Sequence, residues 1–441
     1  MIMDITTFFT TEFKDFSLYS SFRGLASYVD GFKPASRKAI YTVERRNITQ
    51  NMKVANLAAA AAESTSYLHA ISSLEGAIVL LAQDFSNNCN LLAPEGNFGN
   101  PLNHEASSPR YIFTKKSKWF DKVLDPRDRA TLKLREFEGE TIEPFYYVPV
   151  VPLILVNGSN GIGSGYAQKI FPRKLKSVID AIEKLLAGKQ VKEIIPSLDS
   201  FSGDVVFMEG NKIEVRGKVQ IADAKIIVLA IPFSYDLVSY QKKLDQLVDD
   251  GVIKSYKDLS ENGLFKFEVK CTREFSSKPE TEILSKLYLV DKLTENFSCI
   301  SEKDSIVVFK DEVDLLKAFI KLRLKQYGSR KETLIAELNH SITELKNKVK
   351  FLKAIMSETL VVYKKPKAEI EKALVAGKYD KLDGSYEYLL TLRIDSFTTE
   401  KLAKLDAELA EKKTELVAIS EKDEKTLWLD DLNALKKASA N

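Results

Sequence analysis

One tyrosine of this chain lies in a segment that suits covalent chemistry on a phosphodiester. Tyr111 follows Arg110 in the stretch S-S-P-R-Y-I-F-T at 107–114. A tyrosine hydroxyl can attack phosphorus and hold the broken strand as a phosphotyrosine ester. Because one phosphoester replaces another, the exchange is nearly balanced in free energy and can be reversed without a cofactor's energy. Tyr111 is therefore the candidate nucleophile.

Two obstacles bear on such a reaction. A phenol has an ordinary pKa near 10, so forming the phenolate at pH 7 costs about 4 kcal/mol. A neighbouring arginine, a general base or a metal ion lowers that cost. The transition state spreads negative charge over the phosphate oxygens, which the guanidinium of Arg110 could meet with two donors. For an arbitrary Arg-Tyr pair, however, a buried tyrosine beside a surface arginine is the more common arrangement.

Basic residues concentrate in the first third of a chain whose net charge is only +3. Two clusters stand out, and only three aspartates interrupt the second. Such clusters favour a surface for a polyanion such as nucleic acid, although a solvated lysine-rich face has the same composition. The first cluster is Lys33, Arg37, Lys38, Arg45 and Arg46, and the second is Arg110, Lys115, Lys116, Lys118, Lys122, Arg127, Arg129, Lys133 and Arg135.

Familiar sequence motifs for nucleotide and metal binding are absent. The chain has no G-x-x-x-x-G-K-[ST] phosphate loop, no H-E-x-x-H and no convincing D-x-D cluster. Its three histidines, His69, His104 and His340, cannot supply a histidine-rich metal site. Its three widely spaced cysteines predict reduced structural thiols. If the protein acts catalytically on DNA, we expect metal and nucleotide sites on another chain.

Short helices are predicted to carry the basic clusters over residues 16–135. Residues 53–85 have helical periodicity, with small residues at 58–62 and an apolar face further on. Polar residues at 64–66 and 72–73 would cap and divide this stretch. Two consecutive helices with a small-residue contact fit a helix-turn-helix, which places its second helix in the DNA groove. Many core helix pairs share this pattern.

Strand patterns begin near residue 148. The apolar run at 150–156 predicts a strand, followed by a turn at 157–161. Alternating residues at 204–209 and 212–221 predict a hairpin. Further strands and one helix at 235–249 complete a mixed α/β domain.

The last third of the chain is helical and highly charged. Leucine and other aliphatic residues are spaced by four and three positions at 334–352 and again at 402–419. This spacing is typical of coiled-coil helices. The charge on both helices favours an antiparallel arm with a small globular tip over two surface helices of an ordinary bundle.

Length and hydropathy bound the class of protein. A chain of 441 residues exceeds the roughly 250–300 residues at which a single core stops growing, so two to four domains are expected. The apolar stretch at 148–156 is too short for a membrane span and contains two prolines. The N-terminus lacks the basic region of a signal peptide, so a cytoplasmic location is expected.

Five motifs, taken in order, resemble segments of type IIA DNA topoisomerases, and the Arg110–Tyr111 segment matches the family's active-site segment. Five motifs in the correct order are highly specific and outweigh the local argument against Tyr111. Weaker matches at 322–328 and 388–390 extend the resemblance over most of the chain. The motifs are D-G-F-K-P-A-S-R-K at 30–38, K-V-A-N-L at 53–57, L-L-A-P-E-G-N-F-G at 91–99, S-S-P-R-Y-I-F-T at 107–114 and V-N-G-S-N-G-I-G-S-G at 156–165.

The resemblance implies roles for single residues. Tyr111 would form a 5′-phosphotyrosine link, and Arg110 would stabilise the scissile phosphate. Arg37 matches a second phosphate-binding arginine, and Lys33 would touch the DNA backbone nearby. The other basic residues expected to bind DNA are Lys38, Lys115 and Lys116.

Two further positions match the family in part. His69 aligns with the second histidine of the family's Y-H-H-G-E segment, where that residue helps to bind the phosphate. The stretch Y-L-H-A-I at 67–71 lacks the first histidine, the glycine and the acid, so a purely structural role for His69 stays open. Ile162 matches an isoleucine that wedges between base pairs and bends the cut duplex. The alternative is a core isoleucine at a strand end.

The resemblance also implies partners. The chain would form a homodimer on double-stranded DNA, joined to separate ATPase and toprim subunits and to no membrane. Mg²⁺ would be held mainly by the partner toprim subunit, whereas ATP would bind elsewhere, on a partner chain. The layout of eukaryote-like motifs on a short chain is similar to that of bacteriophage members of the family, which would place the protein on DNA in the host cytoplasm.

The expected fold class is α+β with several domains. A winged-helix (helix-turn-helix) DNA-cleavage domain would span 1–145, and an α/β tower domain 146–312. Residues 313–441 would form a long antiparallel coiled-coil arm with a small helical C-gate tip for dimerisation.

The expected activity is that of the cleavage subunit of an ATP-dependent DNA topoisomerase: a transient double-strand break, strand passage and religation. One rival is a tyrosine-dependent nicking enzyme or recombinase, although such enzymes usually need further arginines and histidines near the nucleophile. The other is a non-enzymatic DNA-binding coiled-coil protein.

Overall fold

The computed structural model describes residues 4–393 and 398–440, which divide into two compact units. The first contains Met1–Arg323 together with Asp431–Asn441, and the second is Leu324–Asp430. The C-terminal residues therefore belong with the first unit, whereas the predicted third domain kept them with the arm. The predicted divisions at 145/146 and 312/313 stay predictions.

The first unit opens with helices that frame a small sheet. Asp4 caps the first helix through its side chain, and Pro34 begins the third, where its fixed φ suits the first turn. The three-stranded antiparallel sheet has the order β1-β3-β2. The elements are α1 (Ile5–Thr10), α2 (Glu12–Gly24), α3 (Pro34–Arg45), β1 (Met52–Lys53), α4 (Val54–Ser64), α5 (Ile71–Ala82), β2 (Leu92–Glu95) and β3 (Phe113–Lys116).

The small residues of α4 explain how tightly α3, α4 and α5 pack. Ala58, Ala60 and Ala61 are buried, and each of the three helices contacts the other two. The predicted division of 53–85 into two helices is confirmed, with the break after Ser64. After β3 follow α6 (Phe120–Val123), a 3-10 helix (Pro126–Thr131) and the hairpin of β4 (Leu134–Phe137) and β5 (Glu140–Pro144).

Two strand predictions in the middle region are wrong. Residues 150–156 do not form a strand, because Pro152 caps the short buried helix α7 (Leu153–Val156). The strand begins later, in the hairpin of β6 (Ser159–Gly163) and β7 (Tyr166–Ile170). The run 212–221 is not one strand, because Gly217 divides it between two sheets, and a Cβ there would lie 2.4 Å from the carbonyl oxygen of Ala230.

Three sheets and several helices build the middle region. The sheets have the orders β16-β15-β7-β6, β14-β9-β8 and β10-β11-β13-β12. The predicted helix near 235–249 is confirmed, capped by Asp236. The elements are α8 (Leu175–Leu186), β8 (Asp204–Phe207), β9 (Lys212–Arg216), β10 (Lys218–Ala222), β11 (Lys225–Ala230), α9 (Leu237–Asp249), β12 (Ser255–Asp258), β13 (Phe267–Lys270), α10 (Arg273–Ser276), α11 (Glu280–Lys286), β14 (Val290–Thr294), β15 (Asn296–Ile300) and β16 (Ile306–Val308).

Long helices make up most of the second unit. The helix α12 (Glu312–Met356) has 45 residues and a length of about 67 Å, and most of it belongs to this unit. It is followed by α13 (Lys367–Ala376), α14 (Glu387–Leu390), α15 (Thr399–Glu421) and α16 (Glu424–Ala440).

The helices α12 and α15 run antiparallel. Lys331 bonds to the carbonyl oxygens of Ser420 and Lys422, whereas Lys353 pairs with Asp406 at 3.1 Å, so contacts move down one helix as they move up the other. Apolar side chains fill the seam, namely Leu345, Val349, Leu352, Leu405 and Leu409. A separate small core follows at Phe351, Leu374, Tyr379, Tyr386 and Leu389.

Candidate active site and nucleic-acid interface

The first turn of α4 holds the turn that carries Tyr111. The first N–H groups of a helix lack partners inside the helix. Here the amide of Val54 donates to the carbonyl of Ile112 at 3.0 Å, and that of Ala55 donates to Pro109 at 3.2 Å. The side chain of Ile112 is buried, whereas Tyr111 is 69% exposed. The backbone thus fixes the turn and leaves the phenol free to meet a ligand.

Arg110 lies directly beside that phenol. Its guanidinium carbon is 5.6 Å from the centroid of the Tyr111 ring, and its Nε donates to the Ser108 hydroxyl at 3.3 Å. Both side chains are exposed. The arrangement presents a hydroxyl and a planar cation on one accessible turn, which suits a phosphate group.

Four other predicted residues line one pocket. Lys33, Arg37, Lys38 and His69 border a cavity of about 870 Å³ between α2, α3, α5 and the β4–β5 hairpin. The start of α3 also lines it, and the N-terminal end of a helix favours anions. Arg110 and Tyr111 are not among the residues that line this pocket.

Arg37 is held inside a buried ion pair with Asp30. Nε of Arg37 donates to one carboxylate oxygen at 2.7 Å, and Nη2 donates to the other at 3.1 Å. The amides of Phe32 and Tyr147 donate to the same carboxylate. Among the described residues Nη1 has no hydrogen-bond partner, yet it is not one of the fully buried unpaired atoms. One edge of the guanidinium is therefore fixed and the other reaches the pocket.

The two lysines of this cluster also have protein partners. Nζ of Lys33 donates to the carbonyl of Asn160 at 2.8 Å, and burial lowers the pKa of Lys33 from its usual value. Nζ of Lys38 donates to the carboxylate of Glu143 at 2.9 Å and to the carbonyl of Thr65 at 2.7 Å. Lys38 is thus largely occupied in joining α3 to β5.

His69 contacts an aromatic residue from a distant part of the chain. Its Nε2 lies 2.8 Å from the hydroxyl of Tyr19 on α2, and its ring meets that of Tyr67 edge-on at 5.4 Å. The ring is half-buried at the pocket wall. Position and polarity are compatible with a phosphate ligand.

Lys115 and Lys116 leave the same strand, β3, on opposite faces. Lys116 is shielded, because its Nζ bonds to Asp121 and to Asn47, each at 3.0 Å, and only 7% of the side chain is exposed. Lys115 is half-buried and has no ion pair with a residue in the described part of the chain. Of the two, Lys115 is the freer to bind an anion.

Ile162 lies near the tip of the β6–β7 hairpin and is 80% exposed. A core position for this isoleucine is therefore wrong. The hairpin packs directly on the end of α2, since a Cβ on Gly161 would lie 2.1 Å from the carbonyl oxygen of Gly24. Glycine at both positions allows the backbones to touch, and the side chain of Ile162 is left projecting.

Sequence reasoning missed Tyr19, Arg23, Asp30 and Asn160 as members of this surface. Asp30 lies in a recognised motif, and its spacing of seven residues from Arg37 gives no sign of an ion pair. Tyr19 and Arg23 lie on α2, outside any recognised motif. Asn160 contributes a backbone carbonyl, for which its residue type carries no signal.

The site has no metal cluster of its own. Within residues 4–393 and 398–440, no group of three or more His, Cys, Asp or Glu side chains is placed to hold a metal ion. The described helices include none with the length and apolar character of a membrane span.

Comparisons with known proteins agree with one another. A family model that describes DNA gyrase/topoisomerase IV matches residues 23–433. DNA topoisomerase 2-alpha of Mus musculus is 30% identical over 478 residues, which cover 96% of this chain and 31% of the mouse protein. The mitochondrial DNA topoisomerase 2 of Dictyostelium discoideum is 31% identical over 448 residues, covering 97% of this chain and 35% of that protein.

A solved structure extends the likeness to three dimensions. The DNA-binding, cleavage and re-ligation domain of Plasmodium falciparum topoisomerase II superposes with a TM-score of 0.89 at 32% identity, covering 98% of this chain and 64% of that one. This chain spans about a third of the length of the curated relatives that it matches. It has the mixed α/β fold of that domain, with one long helix. The chain belongs to the DNA gyrase/topoisomerase IV family and is homologous to the type II DNA topoisomerases, which are isomerases.

Proposed function

We propose that this chain cleaves and rejoins DNA, with Tyr111 as the nucleophile, as the breakage-reunion part of an ATP-dependent type IIA topoisomerase. The observation that carries the proposal is the exposed Tyr111 beside the guanidinium of Arg110, on a turn held by the first amides of α4. A tyrosine that only filled a core would be buried.

The chemical step exchanges one ester for another. The Tyr111 oxygen bonds to phosphorus, the bond from phosphorus to the 3′ oxygen breaks, and the proton of the phenol ends on the released 3′ hydroxyl. The 5′ end stays attached to Tyr111, and the reverse attack restores the strand. Arg110 stabilises the charge that spreads over the phosphate oxygens.

The pocket beside α3 is proposed to bind the DNA backbone. Arg37 meets a phosphate through its free edge while Asp30 fixes the other edge. A phosphate oxygen near Lys33 would restore the protonated form that burial disfavours. His69 and Lys115 add contacts, whereas Lys38 and Lys116 act mainly by holding the elements of the surface in place.

The order of elements from α3 to β3 supports a winged helix. Helix, strand, two helices and two strands follow one another, and the sheet order is β1-β3-β2. In such a module the second helix of the helix pair, here α5, meets the DNA groove. Tyr111 would then lie on the long connection between the last two strands.

Ile162 is proposed to wedge between base pairs. An exposed apolar side chain on a rigid hairpin can exchange unstacking energy for a bend that brings more protein onto the DNA. Its 80% exposure and the close contact between the hairpin and α2 support this role.

The second unit is proposed to form a coiled-coil arm with a dimerising tip, the exit gate for the transported duplex. The antiparallel seam of α12 and α15 supports the arm. Exposed Val361 and Val375, at 54% and 60%, lie on the small core at its end and support a contact with a second copy. The α/β middle region would be the tower domain.

Mg²⁺ and ATP are proposed to be bound mainly by toprim and ATPase parts on partner subunits, acting with a homodimer of this chain. The support is the resemblance of the motif layout to the medium subunit of the T-even bacteriophage topoisomerase, which would place the complex in the host cytoplasm. No step above uses a metal ligand from this chain.

The test is a covalent adduct. The full chain is mixed with topoisomerase partner subunits, DNA and Mg²⁺, denatured with detergent, and examined for DNA joined to this chain. Tyr111→Phe should abolish the adduct, and Tyr256→Phe, which removes a hydroxyl from the middle region, should keep it. An adduct that survives Tyr111→Phe contradicts the proposal. Nicking by the chain alone would favour a nicking enzyme or recombinase.

A further inference from the structure

The helix α2 presents two pocket residues without a role so far, Tyr19 and Arg23. They are four residues apart, so their side chains lie one turn apart on the same face. The guanidinium carbon of Arg23 is 5.6 Å from the centroid of the Tyr19 ring. Both residues line the cavity that also contains Lys33 and His69.

Arg23 has capacity for a ligand. Its side chain is exposed at the pocket mouth, and in the described residues it has neither an ion pair nor a hydrogen bond. A planar guanidinium with all of its donors available matches a phosphate group in shape and charge.

Tyr19 restricts the donors of His69. A neutral imidazole has one N–H donor and one acceptor nitrogen, and its hydrogen bonds decide which is which. The Tyr19 hydroxyl lies 2.8 Å from Nε2. The Nδ1 atom has no partner among residues 4–393 and 398–440. A hydroxyl that donates to Nε2 leaves the proton on Nδ1.

We propose that Tyr19, Arg23 and His69 form a phosphate-binding subsite for the DNA backbone, in which Tyr19 donates to Nε2 of His69 and Nδ1 donates to a phosphate oxygen. Arg23 and His69 are the binding groups, and Tyr19 is a positioning residue. The identity of the ligand as DNA rests on the proposed function.

The subsite also accounts for the altered segment around His69. The stretch Y-L-H-A-I at 67–71 places Leu68 and Ala70 beside the histidine, so the nearest side chains in sequence offer no hydrogen bond. The polar partner comes instead from α2, which follows a different part of the chain.

The first test reads the imidazole directly. Nitrogen-15 NMR of the full chain at about pH 8.5, where an ordinary histidine is neutral, reports which ring nitrogen carries the proton. The chain has three histidines, so His69→Gln identifies the signal. We expect Nδ1–H in the wild type and a shift toward the other tautomer in Tyr19→Phe, which keeps the ring beside Arg23. Nε2–H in the wild type, or an unchanged pattern in Tyr19→Phe, overturns the proposal.

The second test counts phosphate contacts. The affinity for a defined 30-base-pair duplex is measured against salt concentration. Loss of one phosphate contact in Arg23→Gln should reduce the slope of log K against log salt by about 0.9 and weaken binding by about tenfold. Lys14→Gln makes the same charge change on the same helix outside the pocket and should leave the slope unchanged. Equal slopes for Arg23→Gln and wild type, or an equal loss in Lys14→Gln, contradict the subsite.

Neither measurement depends on cleavage. If DNA binds through α2 while Tyr111 forms no adduct, the cleavage proposal fails and the subsite stands. If the adduct forms normally and the salt slope of Arg23→Gln does not change, the subsite fails and the cleavage proposal stands.

Discussion

Lys33 donates a hydrogen bond from Nζ to the carbonyl oxygen of Asn160 at 2.8 Å. This bond links the residue before α3 to the hairpin that carries Ile162 two positions further on. The proposed backbone-binding pocket and the proposed wedge are therefore parts of one connected surface. A change in either is expected to be felt in DNA geometry as well as in affinity.

Ile162→Ala should reduce DNA bending much more than it reduces DNA binding. The substitution removes the apolar group that would enter the base stack but leaves every basic contact in place. Bending is measured by energy transfer between the ends of a labelled duplex, and affinity by titration of the same duplex. Val308→Ala, another exposed aliphatic in the first unit, is the control. An unchanged bend in Ile162→Ala would remove the wedge assignment.

Gly161→Ala should destabilise the first unit, because its Cβ would lie 2.1 Å from the carbonyl oxygen of Gly24 and the hairpin must move. We expect a loss of about 1–3 kcal/mol in the free energy of unfolding. In contrast, Gly76→Ala has open space around its Cβ inside α5 and should be neutral or stabilising by about 0.5–1 kcal/mol. Chemical denaturation of both variants checks the contrast, which equal stabilities would refute.

Arg37→Met should cost about 3–5 kcal/mol of stability, because it leaves the buried carboxylate of Asp30 without its cation. The double variant Asp30→Asn with Arg37→Met should recover part of that loss, since no uncompensated charge remains. Thermal unfolding of the two variants measures the difference. If the single variant is as stable as the wild type, Arg37 has no structural role and its buried pair with Asp30 is not the reason for its position.

Arg110→Gln should lower the rate of DNA cleavage by about 10²–10³-fold, in the range seen when one donor to a developing negative charge is removed. DNA affinity should change little, because many other basic groups contact the backbone. Single-turnover adduct formation measures the rate. Lys189→Gln, which removes an exposed charge after α8, is the matched control. Equal rates for the two variants would show that Arg110 does not act on the transition state.

Leu352→Ala should destabilise the second unit by about 2–5 kcal/mol, because the side chain is fully buried in the seam between α12 and α15. Val417→Ala removes an aliphatic side chain that is 55% exposed on α15 and should change stability far less. Denaturation followed by helical circular dichroism distinguishes them. Similar unfolding curves for the two variants would mean that the seam does not stabilise the unit.

The sequence was informative where a pattern is local. The helix pair at 53–85, the helix near 235–249 and both long C-terminal helices were predictable from the spacing of apolar and capping residues. The apolar run at 150–156 misled, because a short buried helix and a buried strand have the same composition and only Pro152 distinguishes them.

The site was less predictable, because its properties depend on distant contacts. Exposure of Tyr111 follows from the amides of α4, more than fifty positions earlier in the chain. A basic residue looks the same whether it faces a ligand or a carboxylate, so Lys38 and Lys116 could not be distinguished in advance from Lys115. The Tyr19–His69 contact spans fifty positions and has no sequence signal.

The C-terminal end of α16 returns to the first unit. Asp431 pairs with Arg127 at 2.6 Å, and Lys436 pairs with Asp180 and Glu183 at 3.0 and 2.8 Å. Leu432 and Leu435 are fully buried. During synthesis the first unit therefore cannot finish folding until residues 431–440 leave the ribosome. A stop codon shortly after Lys422 would spare the seam between the long helices and injure the DNA-binding unit instead.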